Sequence, residues 1–264
     1  MTSRRTLRLA PVLIVFLVMA AGKLLAPVAE GTGSGIPFAP PSAAHWLGTD
    51  AMSEDVFSKL AHGGWTLALV AAVIAISVTG LAAVLGAFVA LRPQLAAPLA
   101  WLADAMLLVP PVLLILLVLV SWPEGGVWAL VVLAVVAGTP YTTRVMSAAA
   151  TPIAASGYVQ VAEAAGERAP HLIFGQVLPN MGDTVAIQLG LRYVEAIYVV
   201  STAAFLQLIP STGSTNWAVM VRENAPGLLL NPAAVVAPAI AIAVLAVVVN
   251  VAALRLHRQP VGVR

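Results

Sequence analysis

Among the 264 residues, few side chains are placed to do chemistry. A nucleotide hydrolase needs a glycine-rich loop whose lysine reaches the phosphates and whose Ser or Thr holds magnesium. The two lysines, Lys23 after Gly22 and Lys59 after Ser58, belong to no such loop. His45, His62, His171 and His257 never fall in a ligand pairing, and there is no cysteine to supply a thiolate or disulfide. No Gly-x-Ser-x-Gly elbow is present for serine-hydrolase chemistry. What remains is charge inside apolar stretches: Asp104, Arg192 and Glu195. Arg192 and Glu195, three apart, share a helical face and can pair. Two readings stay open: a structural ion pair with a lone acid near an interface, or groups lining a polar path or its gate.

The elements that must position these charges are membrane helices. Charged residues make up 9% of the chain and hydrophobic ones 61%, with 13 Lys+Arg against 11 Asp+Glu, whereas a soluble domain is about 25% charged. Nothing in that balance forms the basic stripe of a nucleic-acid binder. A helix crossing the hydrocarbon core needs roughly 20 apolar residues, and six such runs occur, at 9–28, 65–91, 96–120, 127–143, 184–209 and 233–254. The fourth is short and expected to end against Pro140. The fold class is therefore all-α, a polytopic membrane protein with six transmembrane helices.

Basic residues in short loops stay on the cytoplasmic side. Both ends inside puts Arg4, Arg5, Arg8, Arg92, Arg144, Arg168, Arg255, Arg258 and Arg264 in the cytosol and leaves only Lys59 and Arg222 outside. The rival for the first run is a cleaved signal peptide, which would leave five spans and strand the ends on opposite sides. The chain then divides into 1–64, with a cytosolic N-terminus, first helix and external segment, and 65–264, a five-helix core with an internal loop at about 144–183 and a cytosolic C-terminus. External residues 45–60 interleave Trp46, Val56 and Phe57 with polar groups. They read as a docking surface or as a lid over the helix ends.

The internal loop reads Tyr158-Val159-Gln160-Val161-Ala162-Glu163-Ala164-Ala165-Gly166, then Leu178-Pro179-Asn180 a dozen residues on. The spacing predicts a short exposed helix over 159–167, closed by a left-handed Gly166. This pattern resembles the EAA loop of bacterial ABC importer permeases. His45-Trp46-Leu47-Gly48-Thr49-Asp50, with Asp55-Val56-Phe57-Ser58-Lys59-Leu60, resembles the external segment of the second membrane subunit of the dipeptide, oligopeptide and nickel permeases. The stretch from Asp104 to Pro111, Pro140 with Arg144, Phe205-Leu206 with Leu208, Trp217 and Asn250 match in order. Departures are Gln160 at the loop's usual glutamate, Glu163 where a basic residue is common, Ser53 and Glu54 in place of glycine and arginine, Val200 in place of an acid, and no Gly-Asp pair after Asn250.

The resemblance implies a permease subunit of an ATP-binding-cassette importer in the bacterial cytoplasmic (inner) membrane, taking up peptides, with nickel or a metal-chelate as alternative cargo. It implies no cofactor in this chain, because partner ATPases would bind ATP and Mg. Implied partners are a homologous second permease, two ATPases, an external substrate-binding protein and membrane lipid. Coupling to the ATPases would fall on Tyr158, Gln160, Ala162, Glu163, Ala164, Gly166, Leu178 and Pro179. The translocation path or gate would use Asp104, Arg192 and Glu195, and the binding-protein side Trp46, Asp50, Asp55 and Phe57. From another class, an ion-coupled secondary transporter could use the same three charges as a relay, but it calls for internal repeats with broken helices.

Overall fold

The computed structural model describes residues 35–209 and 215–257, all helix, turn and loop apart from one isolated bridge, Thr49 to Asp55. The expected first span, the signal-peptide alternative, and Arg4, Arg5, Arg8, Arg258 and Arg264 lie outside the described residues. The helices are α1 (Val56–His62), α2 (Trp65–Leu91), α3 (Ala96–Leu108), α4 (Pro111–Ser121), α5 (Gly126–Ala154), α6 (Gly157–Ala164), α7 (Gly182–Phe205), α8 (Trp217–Asn224) and α9 (Ala233–His257). Among the described residues, three stretches are long and apolar enough to cross a membrane: Val56–Leu91, Pro123–Ala154 and Ala233–Ala253. A fourth exists if the bent pair Pro93–Leu108 and Pro111–Ser121 is one span.

The centre is α2, with α5 and α7 packed along it and α9 on α7. Its buried positions include Ala68, Ala71, Ala75, Ala82, Ala83, Gly86 and Ala87, small residues that let membrane helices approach closely. A Cβ on Gly86 would strike Met146 and Ser147 of α5, and one on Gly190 would strike Ala253 of α9. Among the described residues three apolar clusters result, the smallest being Ala204, Ala218 and Val219 and the other two lying at opposite ends of α2. The larger runs from Val56 through Leu67, Ile74, Leu130, Ile197 and Trp217. The second, smaller one, at the other end of α2, gathers Ala83, Leu91, Met146, Val159, Ile173 and Val177.

The structure corrects three expectations. The single third span over 96–120 is two helices meeting at 83°. Proline disfavours a helical residue before it, and Val109 before Pro110 is extended at ψ 121°, after which Pro111 opens α4. The fourth helix runs through Pro140 and Pro152 to Ala154, so residues 144–154 are helix rather than loop and Arg144 sits within α5. Pro140 deprives the Val136 carbonyl of its partner, yet neighbouring turns are reinforced by Thr139 Oγ1 donating to Val135 O at 2.5 Å and Thr142 Oγ1 to Gly138 O at 2.8 Å. The fifth run begins at Gly182 and ends at Phe205, short of the expected residue 209. This helix, with Arg192 and Glu195 in its middle, is not among the three stretches above.

Candidate functional site

Three groups of residues are held by this frame. The first is α6. Gly166, at φ +86°, closes the helix: its N–H donates to Glu163 O at 3.0 Å, and Glu167 N–H reaches back to Ala162 O at 3.1 Å. This is the paired closure of a left-handed helix end. The helix begins at Gly157 and ends at Ala164, earlier at both ends than the expected 159–167. Val159 is fully buried and Ala162 nearly so, pinning α6 to the second cluster. Tyr158, Gln160, Val161, Glu163, Ala164 and Gly166 are exposed. After it, a helical turn at Ala169–His171 and a π-helical turn at Leu172–Val177 lead to a 3-10 turn, Leu178–Met181, with Leu178 half-buried and Pro179 exposed. Arg92, just past α2, meets Glu163 at 3.3 Å, so the α2–α3 joint and α6 lie at one end of the bundle.

The second group is the charges among the helices. Asp104 is not a lone acid: Arg144 of α5 donates to it at 2.6 Å, with both side chains about half exposed. The pairing was hidden because the expected end at Pro140 had placed Arg144 in a loop. Arg192 and Glu195 do pair, one turn apart on α7. Arg192 also lies over the Tyr141 ring, 5.7 Å from its centroid. Only 14% of the Arg192 side chain is exposed, against 48% for Glu195. The pair edges a cavity of about 140 Å³ between α2, the α3–α4 joint, α5 and α7. Tyr141 was missed, although it lies three residues before Arg144 and so on the same face of α5.

The third group is the segment over residues 45–60, expected to be external. Asp50 and Lys59 are both buried and pair at 2.6 Å, and Lys59 also meets Glu54 at 2.8 Å. Asp55 is buried, caps α1 by accepting from Ser58 N–H at 2.7 Å, and contacts His45 Nδ1 at 3.0 Å. Asp50 and Asp55 thus spend their carboxylates inside the segment. Trp46 is 64% exposed and lies against the half-buried Phe57 with ring centroids 5.1 Å apart. The segment is tied to the far chain. Asn231 Nδ2 donates to Leu47 O and Thr49 O, both at 2.9 Å, and Asn224 Oδ1 accepts from Ala51 N–H at 3.0 Å. Trp217 Nε1 donates to Leu60 O at 2.9 Å. Of these far anchors only Trp217 was singled out in the sequence, because a lone asparagine carries no periodic signal. No group of three or more His, Asp or Glu side chains is arranged to hold a metal among the described residues.

Comparison with known proteins turns this geometry into a family. Residues 82–260 match the family described as binding-protein-dependent transport system inner membrane component. A putative peptide permease protein of Brucella abortus is 30% identical over 183 residues, 69% of this chain and 60% of that protein. A probable D,D-dipeptide transport system permease protein of Escherichia coli K12 is 28% identical over 187 residues, 70% of this chain and 62% of that one. An oligopeptide transport system permease protein of Mycobacterium bovis is 27% identical over 172 residues, 63% and 58% of the two chains. The chain spans about three fifths of the length of these curated relatives. These relatives are permease components rather than enzymes, and the apolar helices agree with a multi-pass inner-membrane protein. By the extent of that match, the chain belongs to the family of binding-protein-dependent transport system inner membrane components.

Proposed function

We propose that this chain is one of two permease subunits of an ATP-binding-cassette importer for peptides, working by alternating access with two cytosolic ATPases and an external binding protein. The observation that carries the reading is α6: a short helix closed at Gly166, pinned by Val159 and Ala162, with the rest of its surface bare. That is what a cytosolic partner needs in order to push on the bundle through one rigid contact. The names of the relatives support peptides as cargo. The orientation follows the charge asymmetry, with six spans, both termini cytosolic, α6 inside and the Asp50–Lys59 cluster outside. Asp104, Arg192 and Glu195 border the path, because charges at bilayer depth are tolerable where water reaches them, as at Asp104 and Glu195, or where they are paired, as at Arg192. Trp46 and Phe57 face the binding protein, with Asp50 and Asp55 shaping the segment that presents them.

Purification from the native membrane tests the assembly: two ATPases and a paralogous permease should co-purify, and a chain recovered alone would sink the reading. Gly166→Pro tests coupling, since proline cannot adopt the positive φ that closes α6. Uptake and ATPase stimulation should fall while the protein still reaches the membrane. Orientation is read by Ser53→Cys in a chain with no native cysteine. It should react with a membrane-impermeant thiol reagent in intact cells, and labelling seen only after lysis would invert the topology.

A further inference from the structure

The cavity beside the α3–α4 joint has a composition that neither helix packing nor a plain water path calls for. Its walls are aliphatic, from Ile74, Val78, Leu114, Ile115 and Leu133, while Tyr141, Arg192 and Glu195 stand together among its lining. An apolar cavity of roughly 150 Å³ is large enough to take benzene, so about 140 Å³ accommodates a branched aliphatic side chain. The Arg192 guanidinium is held by the Tyr141 ring, and its Nε is buried with no hydrogen-bond partner. Glu195 is the more exposed partner, which makes its side the accessible one.

We propose that this is a binding station for a short zwitterion bearing an aliphatic side chain, such as a dipeptide. Its carboxylate takes the Arg192 guanidinium, its ammonium takes Glu195, and its side chain enters the cavity. The proposal deepens the peptide-permease reading and rests on it for the cargo. The physical reason for a zwitterion is charge balance. Opening the pair strands the nearly buried Arg192 guanidinium, where an unmatched charge is costly, and frees the half-exposed Glu195 carboxylate at the accessible side. A solute of one charge leaves Arg192 or Glu195 uncompensated, whereas a zwitterion replaces the internal pair with two new ones. The two side chains lie one helical turn apart, where Cβ atoms are about 5–6 Å from each other, so the matching solute is short.

The test uses the full chain, with its co-purifying membrane partner, in lipid nanodiscs and without the external binding protein, titrated with radiolabelled alanyl-leucine. Saturable binding is expected, weakened about tenfold or more when the peptide is N-acetylated or C-amidated, because each block removes one charge-assisted contact. Arg192→Gln should erase the discrimination against the amide, and Glu195→Gln that against the acetyl form. Ala134→Leu, which fills the cavity from α5, should weaken alanyl-leucine about tenfold and leave alanyl-glycine within about twofold. The blocked-peptide series on the wild-type chain stands even if a variant fails to fold. Equal binding of free and blocked peptides, or no saturable binding, overturns the station. Peptide uptake that depends on this subunit, without binding in the nanodiscs, sinks the station and spares the function. Binding without any subunit-dependent uptake does the reverse.

Discussion

The two ends of α2 are built on opposite principles. At one end the chain from residue 36 to 64 is locked by buried polar contacts: Lys59 between Asp50 and Glu54, Asp55 on α1, and Asn224 and Asn231 reaching across from the far side. At the other end α6 is held by apolar burial of Val159 and Ala162, with exposed polar links, the Arg92–Glu163 pair and Asn180 Nδ2 donating to the Tyr158 hydroxyl. Buried ion pairs and amides are costly to break, so they specify one geometry. Apolar contacts are non-directional and permit small shifts. The first end is therefore built to hold one shape, and the second tolerates small displacements, as the proposed coupling role of α6 would require.

Several substitutions sharpen or break this contrast, beginning with the largest effect. Lys59→Met leaves the buried Asp50 and the partly buried Glu54 without their cation, a change that costs about 3–5 kcal/mol. A steep drop in the yield and melting temperature of the purified protein is expected, and near-normal stability would mean that the cluster is wet. Val159→Ala, at a fully buried site, should cost about 2 kcal/mol and loosen α6. Val161→Ala, at a site 69% exposed, should leave stability alone and lower ATPase stimulation. If the two valines behaved alike, the division of α6 into an anchored and a bare face would fall.

Ser53 adopts φ +64° at the position where the resembling permeases carry glycine. A side chain in that region costs about 1–2 kcal/mol, part of which is returned by the lower flexibility of a non-glycine chain. Ser53→Gly should thus stabilise by up to about 1 kcal/mol, read as a higher melting temperature, and no gain would show that the turn is already relaxed. Arg92→Gln removes a pair with both side chains nearly half exposed and should change stability by less than about 1 kcal/mol. A larger loss would give the α6 end the polar rigidity assigned here to the other.

Much of this was legible in the residues because helix period and length are local. The run over 65–91 became α2 with the same bounds, and the Gly166 closure follows from one residue's conformational freedom. What escaped notice depends on neighbours far along the chain. Pro140 was read as a terminus since proline weakens any helix, but inside a bundle, packing and threonine hydroxyls sustain it. Pro110-Pro111 carried the signal for the break and was outweighed by the apolar run around it. Asp50 looked like a surface acid because its partner Lys59 lies nine residues away on another element. Asp104 looked solitary for the same reason, with Arg144 forty positions on.

The bend at Val109–Pro110 would let α4 act as a lever arm if its Ile115 and Leu119 contacts with the core gave way. The backbone there lacks the continuous ladder that would stiffen a straight helix, since Pro110 and Pro111 offer no N–H. With 11 residues at about 1.5 Å each, α4 is roughly 16 Å long, so a swing of about 10° at the elbow carries its tip about 3 Å. The fulcrum borders the cavity, which Val109 and Pro111 help to line, while the tip ends at Trp122 beside the start of α5. Such a rotation would displace Leu114 and Ile115, near the fulcrum, by well under the tip's excursion, while the tip beside α5 would move by about the width of a water molecule.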